Sequence, residues 1–152
     1  NPLTIIDVGC GTGILAIALA KLFRSRVIAV DNDIHSVELT KRNIIVNKVV
    51  HHVKVYRSTG LKGNHLKSRA KYDLIVANIL FNPIKSLMRS FIKNLSNSGF
   101  LILSGLTIKQ ARQLKEVSKQ FGLKVLVERK EANWASLLLK RTASKRVIEL
   151  SY

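Results

Sequence analysis

The chain has 152 residues, the size of one ordinary domain, and 47% of them are hydrophobic with only two prolines, which favours a single buried core over a disordered, linker-rich or repeat protein. Lys and Arg outnumber Asp and Glu 26 to 9, a formal charge of +17 whose field favours polyanions such as RNA. The lone cysteine, Cys10, excludes an internal disulfide and fits a reducing, cytoplasmic compartment, while no apolar run approaches the roughly 18 residues of a membrane span.

The apolar run 3–8 ends in a glycine cluster and predicts a strand, and apolar residues at helical spacing over 14–22 predict the helix after it. Residues 26–30 form the next expected strand. Asn32 or Asp33 would cap a helix running to about residue 47, with Val37, Leu39, Ile44 and Ile45 as its buried candidates. A weakly alternating strand is expected over 52–56, and 60–71, polar and basic with glycine breakers, is expected mainly as a surface loop. The continuous apolar run 72–77 predicts a fully buried strand. Pro83 sits where a helix can start, with Leu87, Met88, Phe91, Ile92 and Leu95 as its apolar face. A fifth strand is expected over 100–103, a helix over 107–121 ended by Gly122, and a closing strand pair over 123–128 and 135–139.

Alternating strands and helices predict a doubly wound, Rossmann-like α/β domain. Its mostly parallel seven-stranded sheet would carry helices on both faces and an antiparallel edge strand, because the last two strands have no helix between them. Ligands in such folds sit at the carboxyl ends of the strands, where the strand order reverses. Two candidate elements converge there.

The first is the loop Asp7-Val8-Gly9-Cys10-Gly11-Thr12-Gly13. Alternate glycines permit backbone forbidden to other residues and let a ligand approach the main chain. Dinucleotide loops follow G-x-G-x-x-G, but the last glycine position here is Ile14, and Asp7 would repel a pyrophosphate. An acid suits a cofactor without phosphate and with a cationic amino-acid end, such as S-adenosylmethionine. The second element is Asp31, at the end of the second strand and about 20 residues beyond the glycines, whose carboxylate can accept both hydroxyls of an unphosphorylated ribose. Asn32 follows it within the same candidate site, and Asp33 is the better candidate for the helix cap.

D-V-G-C-G-T-G, then A-V-D, then Y-D-L-I-V-A-N-I-L resembles the class I S-adenosylmethionine-dependent methyltransferases. Within them the chain most resembles the ribosomal protein L11 methyltransferase (PrmA) family, through Asn78-Ile79-Leu80, through Leu103-Ser104-Gly105-Leu106 with Gln110 following, and through Asn133-Trp134 before Leu137-Leu138-Leu139. These features run through about 140 residues, so the resemblance implies a methyltransferase domain over 1–140 and a basic tail over 141–152. It implies methyl transfer from S-adenosylmethionine to amino groups, lysine side chains or the N-terminal amine, of a ribosomal protein such as L11. Asn78 would border the cofactor and line the substrate-amine site. Relatives carry an N-terminal recognition domain and a threonine-rich segment ahead of the glycine loop, and the expectation from this sequence is that both are missing.

Two other readings differ in their acceptor or in lacking one. An rRNA or DNA methyltransferase acting on exocyclic base nitrogens carries a proline pair and an aromatic after the fourth strand, where this chain has Asn78-Ile79-Leu80-Phe81. A noncatalytic RNA-binding remnant would keep the fold and the charge. Lys85, Arg89 and Lys93, and likewise Lys109, Arg112, Lys115 and Lys119, recur at helical spacing and should share helix faces. A ribosomal protein is itself usually basic, so this charge would repel it unless rRNA or a missing acidic domain intervenes. No metal site is expected: His51 and His52 are neighbours that would point to opposite faces of a strand.

Overall fold

The structure, a computed structural model, describes residues 3–63, 66 and 71–142. Seven strands and four helices follow in the order β1 (Thr4–Val8), α1 (Ile14–Phe23), β2 (Arg26–Asp31), α2 (Ile34–Val46), β3 (Val53–Arg57), β4 (Tyr72–Asn78), α3 (Phe81–Asn94), β5 (Leu95–Thr107), α4 (Ile108–Gln120), β6 (Leu123–Glu131) and β7 (Trp134–Arg141). The sheet order is β3-β2-β1-β4-β5-β7-β6. Strands β1 to β5 pair in parallel, and β7 runs antiparallel to both β5 and β6. The antiparallel pairing falls at the expected end of the sheet, with the reversed strand one position in from the edge.

Central strands covered on both faces need apolar residues at successive positions. Ile5, Ile6, Val8, Leu74, Ile75 and Val76 meet that need and are all almost fully buried. Helices α1 and α2 close one face over Ile5, Val27, Ala29 and Val53. Helices α3 and α4 close the other, where Ile84, Met88, Phe91, Ala111 and Leu114 pack on Ile6, Ile75, Leu101 and Leu103. Thr107 and Gln110 form a capping box that starts α4. The order reverses between β1 and β4, so the switch point lies above the end of β1.

Three local expectations are corrected. In α2 the inward stripe is Val37, Thr40 and Ile44, whereas Leu39 and Ile45 are exposed; each lies about 100° or more around the helix from the middle of that stripe. Strand β5 is far longer than 100–103, because Leu95 is buried and already pairs with Tyr72 before the polar stretch 96–99 shifts the register to Leu74 with Phe100. The loop 60–71, as far as it is described, is not wholly superficial, since Leu61 and Leu66 pack into the core. His52 lies in the turn before β3, exposed like His51. Of the tail expected over 141–152, only Arg141 and Thr142 fall within the described residues. No helix among the described residues is long and apolar enough to cross a membrane.

Candidate active site

The glycine loop leaves the end of β1 and is fastened at once to β2. The N–H groups of Gly9 and Cys10 both donate to the carbonyl of Val30, at 2.8 and 3.0 Å. Gly11 N–H then donates to Asp31 Oδ2 at 2.9 Å, and Asp33 N–H to Asp31 Oδ1 at 3.0 Å. Each Asp31 oxygen thus holds one main-chain donor and keeps acceptor capacity for another. Asp31 is released from capping duty, because Asp33 performs it by accepting from the N–H groups of His35 and Ser36.

From below, α2 holds the loop's carbonyl groups. Thr40 Oγ1 donates to Gly11 O at 2.9 Å and Asn43 Nδ2 to Thr12 O at 2.8 Å, while the Cys10 thiol lies 3.5 Å from Thr40 Oγ1. That is why a threonine, fully buried, occupies an inward position of this helix. Burial pushes the Cys10 thiol up to about 11.

Asp7 lies behind the loop with no exposed surface. Its Oδ2 accepts from Ala16 N–H at 3.1 Å, and its Oδ1 is buried without a partner. Burial raises its carboxyl to about 7 against the opposing effect of the Ala16 bond, and the charge of Asp31 raises it further.

A cleft of about 450 Å³ opens over the switch point. Gly9, Asp31 and Asn32, all anticipated from sequence, lie on its wall, facing Ile79, Leu80, Pro83 and Leu87 from the β4–α3 junction and Ser58, Thr59 and Gly60 after β3. Asp7 and Cys10 stand behind that wall, while Thr12 is exposed and Gly13 forms the left-handed start of α1. A Cβ on Gly9, whose φ is +76°, would run into the Ile79 side chain, so glycine there lets the loop and the β4 end meet across the cleft floor. Ser58, Thr59, Thr40 and Asn43 were not singled out from sequence; the signal for the first two was a polar turn at the carboxyl end of the third strand, the same topological position as the glycine loop and Asp31.

Asn78 ends β4, exposed, in register with Ser104 of β5. Gly105 explains the pairing of the Asn-Ile-Leu and Ser-Gly-Leu motifs. Its φ is +74°, and a Cβ there would lie 2.8 Å from Asn78 Oδ1 and 3.1 Å from Ile79 O. Only glycine permits so close an approach. A second hollow of about 420 Å³ is lined by Ser104, Arg129, Glu131, Trp134 and Ser136; Asn78 lines neither hollow, but its chain neighbour Ile79 lines the first and its strand partner Ser104 the second.

The family model described as ribosomal protein L11 methyltransferase (PrmA) matches residues 1–142. The chain belongs to that family. It is 38% identical over 141 residues to the ribosomal protein L11 methyltransferase of Bradyrhizobium diazoefficiens, covering 93% of this chain and 48% of that protein. Against the enzyme of the same name from Thermotoga maritima it is 36% identical over 141 residues, covering 91% and 50%. The chain therefore spans about half the length of these curated relatives. Among solved structures it is similar to the ribosomal protein L11 methylase of Lactobacillus delbrueckii subsp. bulgaricus, with a TM-score of 0.84 and 29% identity over 93% of this chain and 71% of that one. The precorrin-6y C5,15-methyltransferase of Geobacter metallireducens, with a TM-score of 0.75 at 14% identity, shares the fold. Motif-based membership of the family and the doubly wound fold are both borne out.

Proposed function

We propose that this chain is the catalytic portion of a cytoplasmic S-adenosylmethionine-dependent methyltransferase that modifies amino groups of a ribosomal protein, L11, and whose basic surface meets ribosomal RNA. The observation that carries the cofactor reading is the bond from Gly11 N–H to Asp31 Oδ2, which joins the glycine loop and the carboxylate in one wall of the cleft. The residues suit this cofactor. Asp31 keeps lone pairs for two ribose hydroxyls, nothing lies within 4 Å of the position a Gly11 Cβ would take, and Asp7 has a buried oxygen without a partner near which a cationic amino-acid end is favourable. Ile79, Leu80, Pro83 and Leu87 offer an apolar surface to a purine.

Bound S-adenosylmethionine supplies a methyl group on a sulfonium, an electrophile that an uncharged amine attacks. The protein's contribution is chiefly placement. Asn78, exposed at the end of β4 and next in the chain to Ile79 of the cleft wall, can accept a hydrogen bond from the amine through its side-chain carbonyl without adding charge. Gly105 keeps that amide oxygen close to the β5 end. The curated relatives at 36–38% identity are named ribosomal protein L11 methyltransferases, and the β4 end lacks the proline pair of base-modifying enzymes, so a protein acceptor is favoured over nucleic acid and over a noncatalytic remnant.

Incubation with radiolabelled cofactor and separated ribosomal proteins or rRNA tests the proposal: label in L11 is expected, and label in RNA alone would overturn it. Asn78→Ala should leave the cofactor dissociation constant unchanged in calorimetry and lower turnover by about 10- to 100-fold. Equal losses in both would make Asn78 a structural residue.

A further inference from the structure

The two helical faces of the sheet differ sharply in what they expose. On the α1–α2 face, Leu22, Phe23, Leu39, Ile45 and Val46 are exposed. Among the described residues, no large hydrophobic side chain of α3 or α4 is exposed. That face is cationic instead.

Lys85, Arg89 and Lys93 stand exposed at four-residue intervals on α3, whose sequence contains no acid. Lys109, Arg112, Lys115 and Lys119 follow along α4, whose one acid is Glu116. Glu128 of β6 pairs with Lys115 at 2.8 Å and Glu116 with Lys119 at 2.9 Å. Arg89, Lys93 and Lys109 take part in none of the ion pairs among the described residues. Like charges four residues apart disfavour a helix in isolation. Here they recur about every 6 Å along a helix of about 20 Å, with no countercharge on that helix.

We infer that the outer surface of α3 and α4, centred on Arg89, Lys93 and Arg112, docks the phosphate backbone of an RNA strand. This rests on the ribosomal-RNA part of the proposed function and gives it a location. A phosphate backbone needs positive charge and no apolar insertion, which matches a face without exposed large hydrophobics. A lipid surface would instead take up an amphipathic face with apolar residues beside its cations. RNA docked here also supplies the negative charge that lets a basic protein substrate approach a basic enzyme.

The test measures anisotropy of a fluorescein-labelled ribosomal RNA hairpin across a salt series. The triple variant Arg89→Gln, Lys93→Gln, Arg112→Gln is set against Lys21→Gln, Lys41→Gln, Arg42→Gln, which removes equal charge from the α1–α2 face. The first should bind about 10- to 30-fold more weakly than the parent, with a salt slope lower by about 3. The second should stay near the parent value. Equal weakening in both overturns the placement while leaving RNA binding standing. Absence of salt-dependent binding by the parent protein overturns the placement and the RNA part of the function together. Tighter binding to phosphatidylserine vesicles than to RNA, lost in the first variant, overturns it in favour of a membrane surface. Lysine acetylation of the unmodified protein gives a second readout independent of variant folding: RNA should protect Lys85, Lys93 and Lys109 and spare Lys41, and the reverse pattern overturns the placement.

Discussion

Replacing Asp31 with alanine is expected to weaken binding of S-adenosylmethionine by about 1–3 kcal/mol, or roughly 5- to 150-fold in the dissociation constant. Two losses combine. The carboxylate would no longer accept from the ribose, and the N–H groups of Gly11 and Asp33 would lose their acceptor, leaving the loop less organised before any ligand arrives. Asp31→Asn should recover little, because an amide offers one oxygen where both carboxylate oxygens already serve main-chain donors. The comparison that isolates the effect is Asp33→Ala, which removes the cap of α2 and should lower the melting temperature while leaving the dissociation constant near its parent value. Calorimetry on the three variants decides the matter. An unchanged constant in Asp31→Ala removes that residue from the site.

The second large effect is a pH dependence centred on Asp7. Its carboxyl is raised by burial from 3.8 to about 7, so the unfolded chain releases this proton at lower pH than the folded one. Below about pH 4 both forms are protonated and Asp7 costs nothing. Between about pH 4 and 7 the unfolded chain binds fewer protons, so stability falls as pH rises, and above about pH 7 the full penalty stands, on the order of 4 kcal/mol. Asp7→Asn should abolish this contribution and melt at a higher temperature than the parent at pH 8, with the gap closing towards pH 4. Cofactor affinity should move the opposite way. A cationic ligand end favours the ionised carboxylate, so parent affinity should rise as pH increases through about 7, and the asparagine variant should bind more weakly without that rise. Equal affinity in both proteins at every pH would confine Asp7 to a structural role.

Much of this site was legible because its parts are local in sequence. The loop 7–13 joins a strand to a helix, and Asp31 ends the following strand; parallel pairing of β1 with β2, in register from Thr4 with Arg26 to Val8 with Val30, then brings them together. The burial of Asp7 was not legible, since it depends on α1 closing over the loop and on Ala16 N–H taking one oxygen. Thr40 and Asn43 were also hidden. A polar residue on a helix shows its purpose only when its partner, here a carbonyl about 30 residues earlier in the chain, is placed beside it. Strand β5 was underestimated because Ser96-Asn97-Ser98-Gly99 has turn composition, and only the pairing of Leu95 with Tyr72 carries the strand past it. The glycine requirement at 105 follows from the approach of Asn78, which composition alone does not encode.

Cys10 turns the loop into its own reporter. It is the only thiol in the sequence, it is 6% exposed, and at neutral pH it is held almost wholly in the unreactive protonated form. An alkylating reagent can reach it only when the segment lifts away from Thr40, so the labelling rate of the native protein clocks that opening. A ligand seated against Gly11 should slow the clock without touching the sulfur.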